Sequence, residues 1–352
     1  MTATRRDFLK SLGLAGGALA LGGCPRTEEA VTPASSEDGG PGYARLEEEG
    51  KLRERVERAR AELENCRLCP RLCGVNRAAG ETGFCDSAAR AKVNSHSAHF
   101  GEELPLVGRS GSGTIFFSNC NLRCVFCQNY PIAHFGRGRE VSDEALAETM
   151  LDLQRRGCHN INLVTPTHLL PNILGAVRIA CLKGLRLPLC YNTGGYERVE
   201  MIRLLDGIVD IYLPDLKFID PEEAARYAVA GPLDYPKNAK AAIEEMHRQV
   251  GVLQTDERGI ARRGLMIRHL VMPNRVAGTK EFVRWVADKL SKDTYVNIMA
   301  QYRVEYRAFE FPKIARAITP GEFLEAIDWA GEAGLTNLDR RSLAQAELHR
   351  RR

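Results

Sequence analysis

Cys120, Cys124 and Cys127 stand at CxxxCxxC spacing within Ser118-Asn119-Cys120-Asn121-Leu122-Arg123-Cys124-Val125-Phe126-Cys127-Gln128-Asn129. Three thiolates on one loop can wrap one face of a cubane iron–sulfur cluster, and a complete 4Fe–4S cluster takes four ligands. One iron is then left open, where a small chelating molecule can bind and receive an electron. Zinc is a second reading, but it wants four ligands in tetrahedral array, and no fourth lies nearby in sequence. A third is an electron-transfer cluster completed by a distant cysteine. The open cluster is favoured because the aromatic Phe126 and the position directly after a predicted strand agree with the spacing.

A second group, Cys66-Arg67-Leu68-Cys69-Pro70-Arg71-Leu72-Cys73 followed by Cys85, offers four soft ligands in some twenty residues. Structural zinc and a second iron–sulfur cluster both suit that set. Two disulfides are the alternative in an exported chain. Four ligands leave no open position, so the group reads as structural or electron-relaying. Cys158, Cys181 and Cys190 are scattered and read as small buried apolar side chains.

The elements that must position these thiols show in the apolar pattern. Short runs rich in β-branched or aromatic residues stand at 114–117, 161–164, 187–191, 208–213, 265–272 and 295–300. Longer stretches with helical period follow, as at 143–156, 172–183, 239–253, 280–290 and 320–333. Alternation of this kind implies parallel strands joined by right-handed crossovers. Six units make an α/β partial (βα)6 barrel, with a doubly wound open sheet as the alternative, and chemistry belongs at the carboxyl ends of the strands. Thr165, Thr167, His168, Asn192, Asp215, Lys217 and Arg268 fall at those ends or on the strands themselves. Asp215 and Lys217 are separated by one residue, so in a strand they share a face and can pair.

These segments resemble the radical S-adenosylmethionine (SAM) enzymes, and among them proteins related to the activating enzyme of pyruvate formate-lyase. The resemblance runs from about Cys66 to Gly334. It is carried by His99-Phe100-Gly101-Glu102-Glu103, Gly111-Ser112-Gly113-Thr114-Ile115-Phe116-Phe117, the cysteine triplet, Asn160-Ile161-Asn162-Leu163-Val164-Thr165-Pro166-Thr167-His168, Tyr191-Asn192-Thr193-Gly194-Gly195-Tyr196 and Asp210-Ile211-Tyr212-Leu213-Pro214-Asp215-Leu216-Lys217. It implies that Cys120, Cys124 and Cys127 hold a 4Fe–4S cluster. Reductive cleavage of SAM there yields a 5′-deoxyadenosyl radical that abstracts hydrogen from a substrate, an oxidoreductase-type chemistry that belongs to the cofactors. Phe126, Thr165, Thr167, Asn192, Asp215, Lys217 and Arg268 are the expected cofactor contacts, with Lys217, Asp215 and His168 as catalytic candidates. Many family members carry Gly-Gly-Glu where this chain has Thr165-Pro166-Thr167-His168. The expected partners are a low-potential electron donor such as flavodoxin or ferredoxin and a substrate of unknown identity, with a glycyl residue on a protein as one option. An exported two-cluster electron carrier and a metal-stabilised interaction protein are the rival readings.

The 352 residues are 44% hydrophobic and 27% charged, enough for a core that needs no disulfide staples. The net charge of +4 and the basic end His349-Arg350-Arg351-Arg352 come with no nucleic-acid-binding signature, so no nucleic-acid partner is expected. At the other end, Thr4-Arg5-Arg6-Asp7-Phe8-Leu9-Lys10 resembles a twin-arginine export signal. The apolar stretch 11–23 after it is too short to span a bilayer. Leu21-Gly22-Gly23-Cys24 resembles a lipoprotein box, which would anchor the chain to a membrane through a lipidated Cys24. The signal points to the periplasmic face and the chemistry to the cytoplasm. The expected organisation is a signal segment at 1–24, a disordered linker at 25–43, a helix plus Cys-rich segment at 44–98, the barrel at 99–336 and a charged tail at 337–352.

Overall fold

A computed structural model describes residues 40–228 and 234–351. The export signal, the lipid-anchor cysteine and most of the expected linker therefore lie outside the described residues. The strands are β1 (Ala91–His99), β2 (Ser112–Phe117), β3 (Arg139–Val141), β4 (Ile161–Val164), β5 (Leu189–Thr193), β6 (Ile211–Pro214), β7 (Gln254–Thr255), β8 (Ala261–Leu270) and β9 (Tyr295–Met299). They form one sheet in the order β3-β1-β2-β4-β5-β6-β8, with β7 and β9 both paired to β8. From β2 through β4, β5, β6 and β8 to β9 every pairing is parallel. Those six strands are the open partial barrel that the alternation implies. Covered on both faces, they read as near-continuous apolar runs rather than alternating ones.

The helices are α1 (Gly42–Glu48), α2 (Lys51–Ala61), α3 (Leu104–Val107), α4 (Tyr130–Ala133), α5 (Asp143–Arg155), α6 (Leu170–Leu182), α7 (Val199–Leu204), α8 (Pro221–Tyr227), α9 (Tyr235–Val250), α10 (Thr279–Lys289), α11 (Pro320–Glu332) and α12 (Arg340–Arg350). Their starts follow capping chemistry. Ser142 accepts from the Ala145 amide at α5, and Thr319 with Glu322 forms a reciprocal capping box at α11. Most of the apolar core, including Leu146, Met150, Ile173, Leu174, Phe282 and Phe323, forms one large cluster. A smaller separate cluster, Leu106, Cys190, Ile211, Leu213, Ala261, Met266 and Tyr295, draws on β5, β6, β8 and β9 and fills the inside of the barrel. Cys158, Cys181 and Cys190 are buried, as their scatter suggests.

The structure differs from the sequence reading in four places. The single helix expected at the start of the 44–98 segment is two helices, because Gly50 sits at φ +74° between them, a conformation that suits glycine. The expected linker stops short: α1 begins at Gly42, and Tyr43 is fully buried with its hydroxyl donating to the Leu187 carbonyl at 2.9 Å. The expected charged tail is largely α12, capped by Asp339, with Ser342 and Ala346 buried. Finally, β1 and β3 extend the sheet antiparallel beyond β2. Their polar stretch Asn94-Ser95-His96-Ser97 gives little hydrophobic signal, as expected of strands at the margin of a sheet.

Candidate functional site

The triplet loop leaves β2 through Asn119, which adopts φ +70°, and Asn119 anchors the turn by donating to the Asp86 carbonyl and the Ser87 hydroxyl at 3.0 Å each. Other elements hold the loop from the far side. The Val125 amide donates to the Tyr227 carbonyl at 2.8 Å, and the Val125 carbonyl accepts from the Arg307 amide at 2.9 Å. Asn121 donates to the Tyr196 carbonyl at 2.7 Å. Phe126 is buried and packs edge-on to Phe218, with centroids 5.9 Å apart, and beside Tyr302. The aromatic in the motif therefore works as the loop's anchor in the core.

Burial pushes the Cys120 thiol up to about 12, against a lowering by the Leu122 amide, and it raises Cys124 and Cys127 as well. Lys217 opposes that rise at all three thiols. Its ammonium is ion-paired with Asp215, and Asp215 Oδ1 accepts from Arg268 Nε at 2.9 Å. Burial alone would push the Asp215 carboxyl up; Lys217 and Arg268 overcome that and hold it below the usual carboxylate range. The same partners keep Lys217 and Arg268 firmly charged. Arg268 also donates to Asn192 and, at 3.3 Å, to Glu102. So the pairing expected of Asp215 and Lys217 is present, and Asn192 and Arg268 join it. Tyr235, which the sequence does not single out, locks the turn. Its hydroxyl meets the Gly194 and Asp215 carbonyls and the Lys217 amide at 2.9–3.1 Å.

The second group lines a nearly enclosed pocket that holds Cys66, Cys69, Cys73, Cys85, Arg71 and Arg77. All ten cysteines among the described residues are free thiols. Burial pushes Cys69 up to about 12 and also raises Cys85. A Cβ on Gly83 would stand 2.9 Å from Cys73 Cβ and 3.0 Å from its Sγ. Gly83→Ala is accordingly expected to displace Cys73, costing about 1–3 kcal/mol of stability. Urea unfolding of the variant beside the parent checks the effect.

The remaining sequence candidates fall elsewhere. His168 is buried, its Nε2 against the Ser118 carbonyl at 2.9 Å, and it lines the second pocket. Burial and Arg77 push it down to about 3. It therefore bridges β2 to that pocket rather than joining the Asp215–Lys217 cluster. Thr165, at φ +62°, donates its amide to the Asn192 carbonyl at 2.8 Å. The Thr167 hydroxyl is taken by Glu197, a fully buried carboxylate that also accepts from Thr193 and Tyr191. Nothing in the local sequence marks Glu197, since its partners come from three other positions on β5 and the loop after β4.

Burial pushes Glu197 from an ordinary 4.5 up to about 7, the three hydroxyls lowering it. Below pH 4.5 both folded and unfolded chains hold this proton. As pH rises the unfolded carboxyl ionises first, so stability falls until the folded group ionises near pH 7. Glu197→Gln is expected to flatten that decline, by up to about 3 kcal/mol at neutral pH. Urea unfolding of both proteins at pH 5 and pH 8, as order-of-magnitude brackets of that window, reads it directly.

Among the described residues no three His, Cys, Asp or Glu side chains converge tightly enough to hold a single metal ion. Three soft donors on one loop, Cys124 buried and Cys120 and Cys127 partly so, with a lysine opposing the rise of their pKa, fit a 4Fe–4S cluster. No described helix is long and apolar enough to cross a membrane.

The Radical SAM superfamily model matches residues 114–256. An uncharacterized protein of Methanocaldococcus jannaschii is 34% identical over 292 residues, covering 80% of this chain and 78% of that protein. Solved structures with distant similarity include the radical S-adenosylmethionine methyltransferase TsrM from Kitasatospora setae, with cobalamin and a [4Fe-4S] cluster bound. It is 18% identical with TM-score 0.41, covering 57% of this chain and 39% of TsrM. HydG, a maturase of the [FeFe]-hydrogenase, is 13% identical with TM-score 0.43, covering 62% of this chain and 49% of HydG. The chain thus spans less than half the length of either structure. With thiols grouped at the carboxyl end of β2 in a parallel partial barrel, a matching family model over its first four parallel strands and a relative aligned along most of both chains, this chain belongs to the radical SAM superfamily.

Proposed function

We propose that the chain is an enzyme that cleaves SAM reductively, with Cys120, Cys124 and Cys127 as the cluster ligands. The observation that carries this reading is the grouping of three thiols on one loop within electrostatic reach of Lys217, which is paired with Asp215 and, through it, Arg268. When bound, the cluster and SAM supply the electron transfer and the hydrogen-abstracting fragment. The chain's own residues do the rest. The thiols give up their protons to ligation. Lys217 stabilises the resulting negative charge, and the contacts of Asn121, Val125 and Phe126 hold the loop in place. Asn192, Asp215, Lys217 and Arg268 are positioning residues on the barrel wall, held in one network before anything binds.

The second cysteine group is proposed to hold a second iron–sulfur cluster that relays electrons from a low-potential donor such as flavodoxin or ferredoxin. Cys85 stands within electrostatic reach of Cys120, as a relay between the two groups requires. Activation of a glycyl residue rests only on the Asp215-Leu216-Lys217 resemblance. Anaerobically reconstituted protein with SAM and dithionite is expected to release 5′-deoxyadenosine. Absence of that product at full iron and sulfide loading would overturn the reading.

A further inference from the structure

Arg77 is fully buried, and among the described residues it forms no ion pair with a carboxylate. It opens a 3-10 turn, Arg77–Ala79, fixed by Asn76, whose side chain accepts from the Ala79 amide at 3.0 Å. Its own amide donates to the Leu63 carbonyl at 2.7 Å, which ties the turn to the chain leaving α2. On the side chain, Nε and Nη2 donate to the Ala88 carbonyl at 3.1 and 2.7 Å, and Nη1 donates to the His168 carbonyl at 2.8 Å. Nη1 also meets Cys66 Sγ at 3.9 Å. Arg77 thus shares the nearly enclosed pocket with all four thiols of the second group.

Carbonyl groups satisfy its hydrogens but leave its charge unbalanced. A buried charge is costly unless an opposite charge joins it. A guanidinium does not lose its proton in proteins, so it has no other escape from that cost. Among the residues lining the pocket, the only side chains that can become negative in the ordinary pH range are Cys66, Cys69, Cys73 and Cys85. Thiols of this kind become thiolates when a metal takes the place of their protons. The other arginine of the pocket, Arg71, is only half-buried. It lies 3.5 Å over the Phe84 ring and donates to the Asn121 carbonyl at 3.0 Å, on the side of the triplet loop. The donor set and the enclosed cation together fit a thiolate-ligated, anionic centre.

We infer that Arg77 is the built-in counter-charge of the second centre: it balances the thiolates held there and raises that centre's reduction potential. The inference rests on the second iron–sulfur cluster proposed at Cys66, Cys69, Cys73 and Cys85, and it adds what tunes that cluster. Potentials of such clusters depend on net charge and on hydrogen bonds to the sulfurs. Arg77 brings both, the charge of its guanidinium and the contact of Nη1 with Cys66. A fixed positive charge favours the more negative, reduced form, so a relay cluster beside it takes an electron from a donor more readily.

The test is a redox titration of the full chain with its clusters reconstituted anaerobically, followed by paramagnetic resonance, with SAM added to mark the signal of the triplet cluster. Arg77→Gln keeps hydrogen-bond donors and removes the charge, while Arg77→Lys keeps the charge. In Arg77→Gln the reduced-to-oxidised ratio of the SAM-indifferent signal at a fixed potential is expected to fall at least about tenfold, or 59 mV for one electron. The SAM-responsive signal should keep its midpoint. Arg77→Lys is expected to stay within about threefold of the parent. Iron content and melting curves confirm that the variants are loaded and folded. If Arg77→Gln does not fold, Arg77→Met takes its place, since an apolar stem in a buried charge's position is often tolerated, and the same fall is expected.

An unchanged midpoint in the neutral variant would overturn the assignment. So would an equal fall in Arg77→Lys, which would leave Arg77 as a hydrogen-bond donor to Ala88 and His168 and nothing more. The two claims fail separately. A parent whose second cluster keeps its midpoint without Arg77 sinks the counter-charge and leaves the relay standing. A parent that holds zinc at the second group sinks the relay, and Arg77 is then read from metal release to a chelator. Release is expected to be at least about tenfold faster in the neutral variant than in Arg77→Lys, and equal rates would overturn the counter-charge as well.

Discussion

Cys124→Ser is expected to lower 5′-deoxyadenosine release by at least about a hundredfold, since outer-shell changes at metal sites alone cost up to that much and this one removes a ligand. Cys124 is the middle thiol of the triplet and is buried, so no exposed side chain can substitute for it. Serine offers a hard oxygen where the site is built for a soft sulfur. Iron and sulfide quantitation should show the loss of one cluster per chain with the fold preserved. Cleavage near the parental rate would contradict the ligand assignment.

Asp215→Ala is the second large effect, and it reads on stability. The carboxylate neutralises two largely buried cations, Lys217 and Arg268, whose side chains are 20% and 17% exposed. Removing one partner of a buried ion pair leaves uncompensated charge and costs about 3–5 kcal/mol. Urea unfolding should report that loss. The double variant Asp215→Ala with Arg268→Met should recover part of it, because one stranded charge is gone. A single variant as stable as the parent would show that the network does not hold the barrel wall.

Much of this site was legible in the sequence because its signals are local. The triplet spacing lies within eight residues, and Asp215 and Lys217 are two apart, so strand geometry alone brings them together. The bounds of β4 came out as expected because Asn160 and Thr165 bracket a short run with both faces buried. What stayed hidden is non-local. Glu197, Glu103 and Tyr235 are single polar residues whose partners lie on other elements, and no period marks them. Likewise β1 and β3 gain their order from pairing with β2 and with each other rather than from apolar content. His168 shows the opposite failure. A histidine after a strand end invites a catalytic role, yet the chain turns it toward the second cysteine pocket.

Paramagnetic resonance of the reduced protein, recorded with and without SAM, tests the central claim most directly. A cluster held by Cys120, Cys124 and Cys127 alone keeps one iron for the cofactor, so its signal should shift on SAM addition and the shift should vanish in Cys124→Ser. A spectrum indifferent to SAM, at full occupancy of the triplet, would contradict the account.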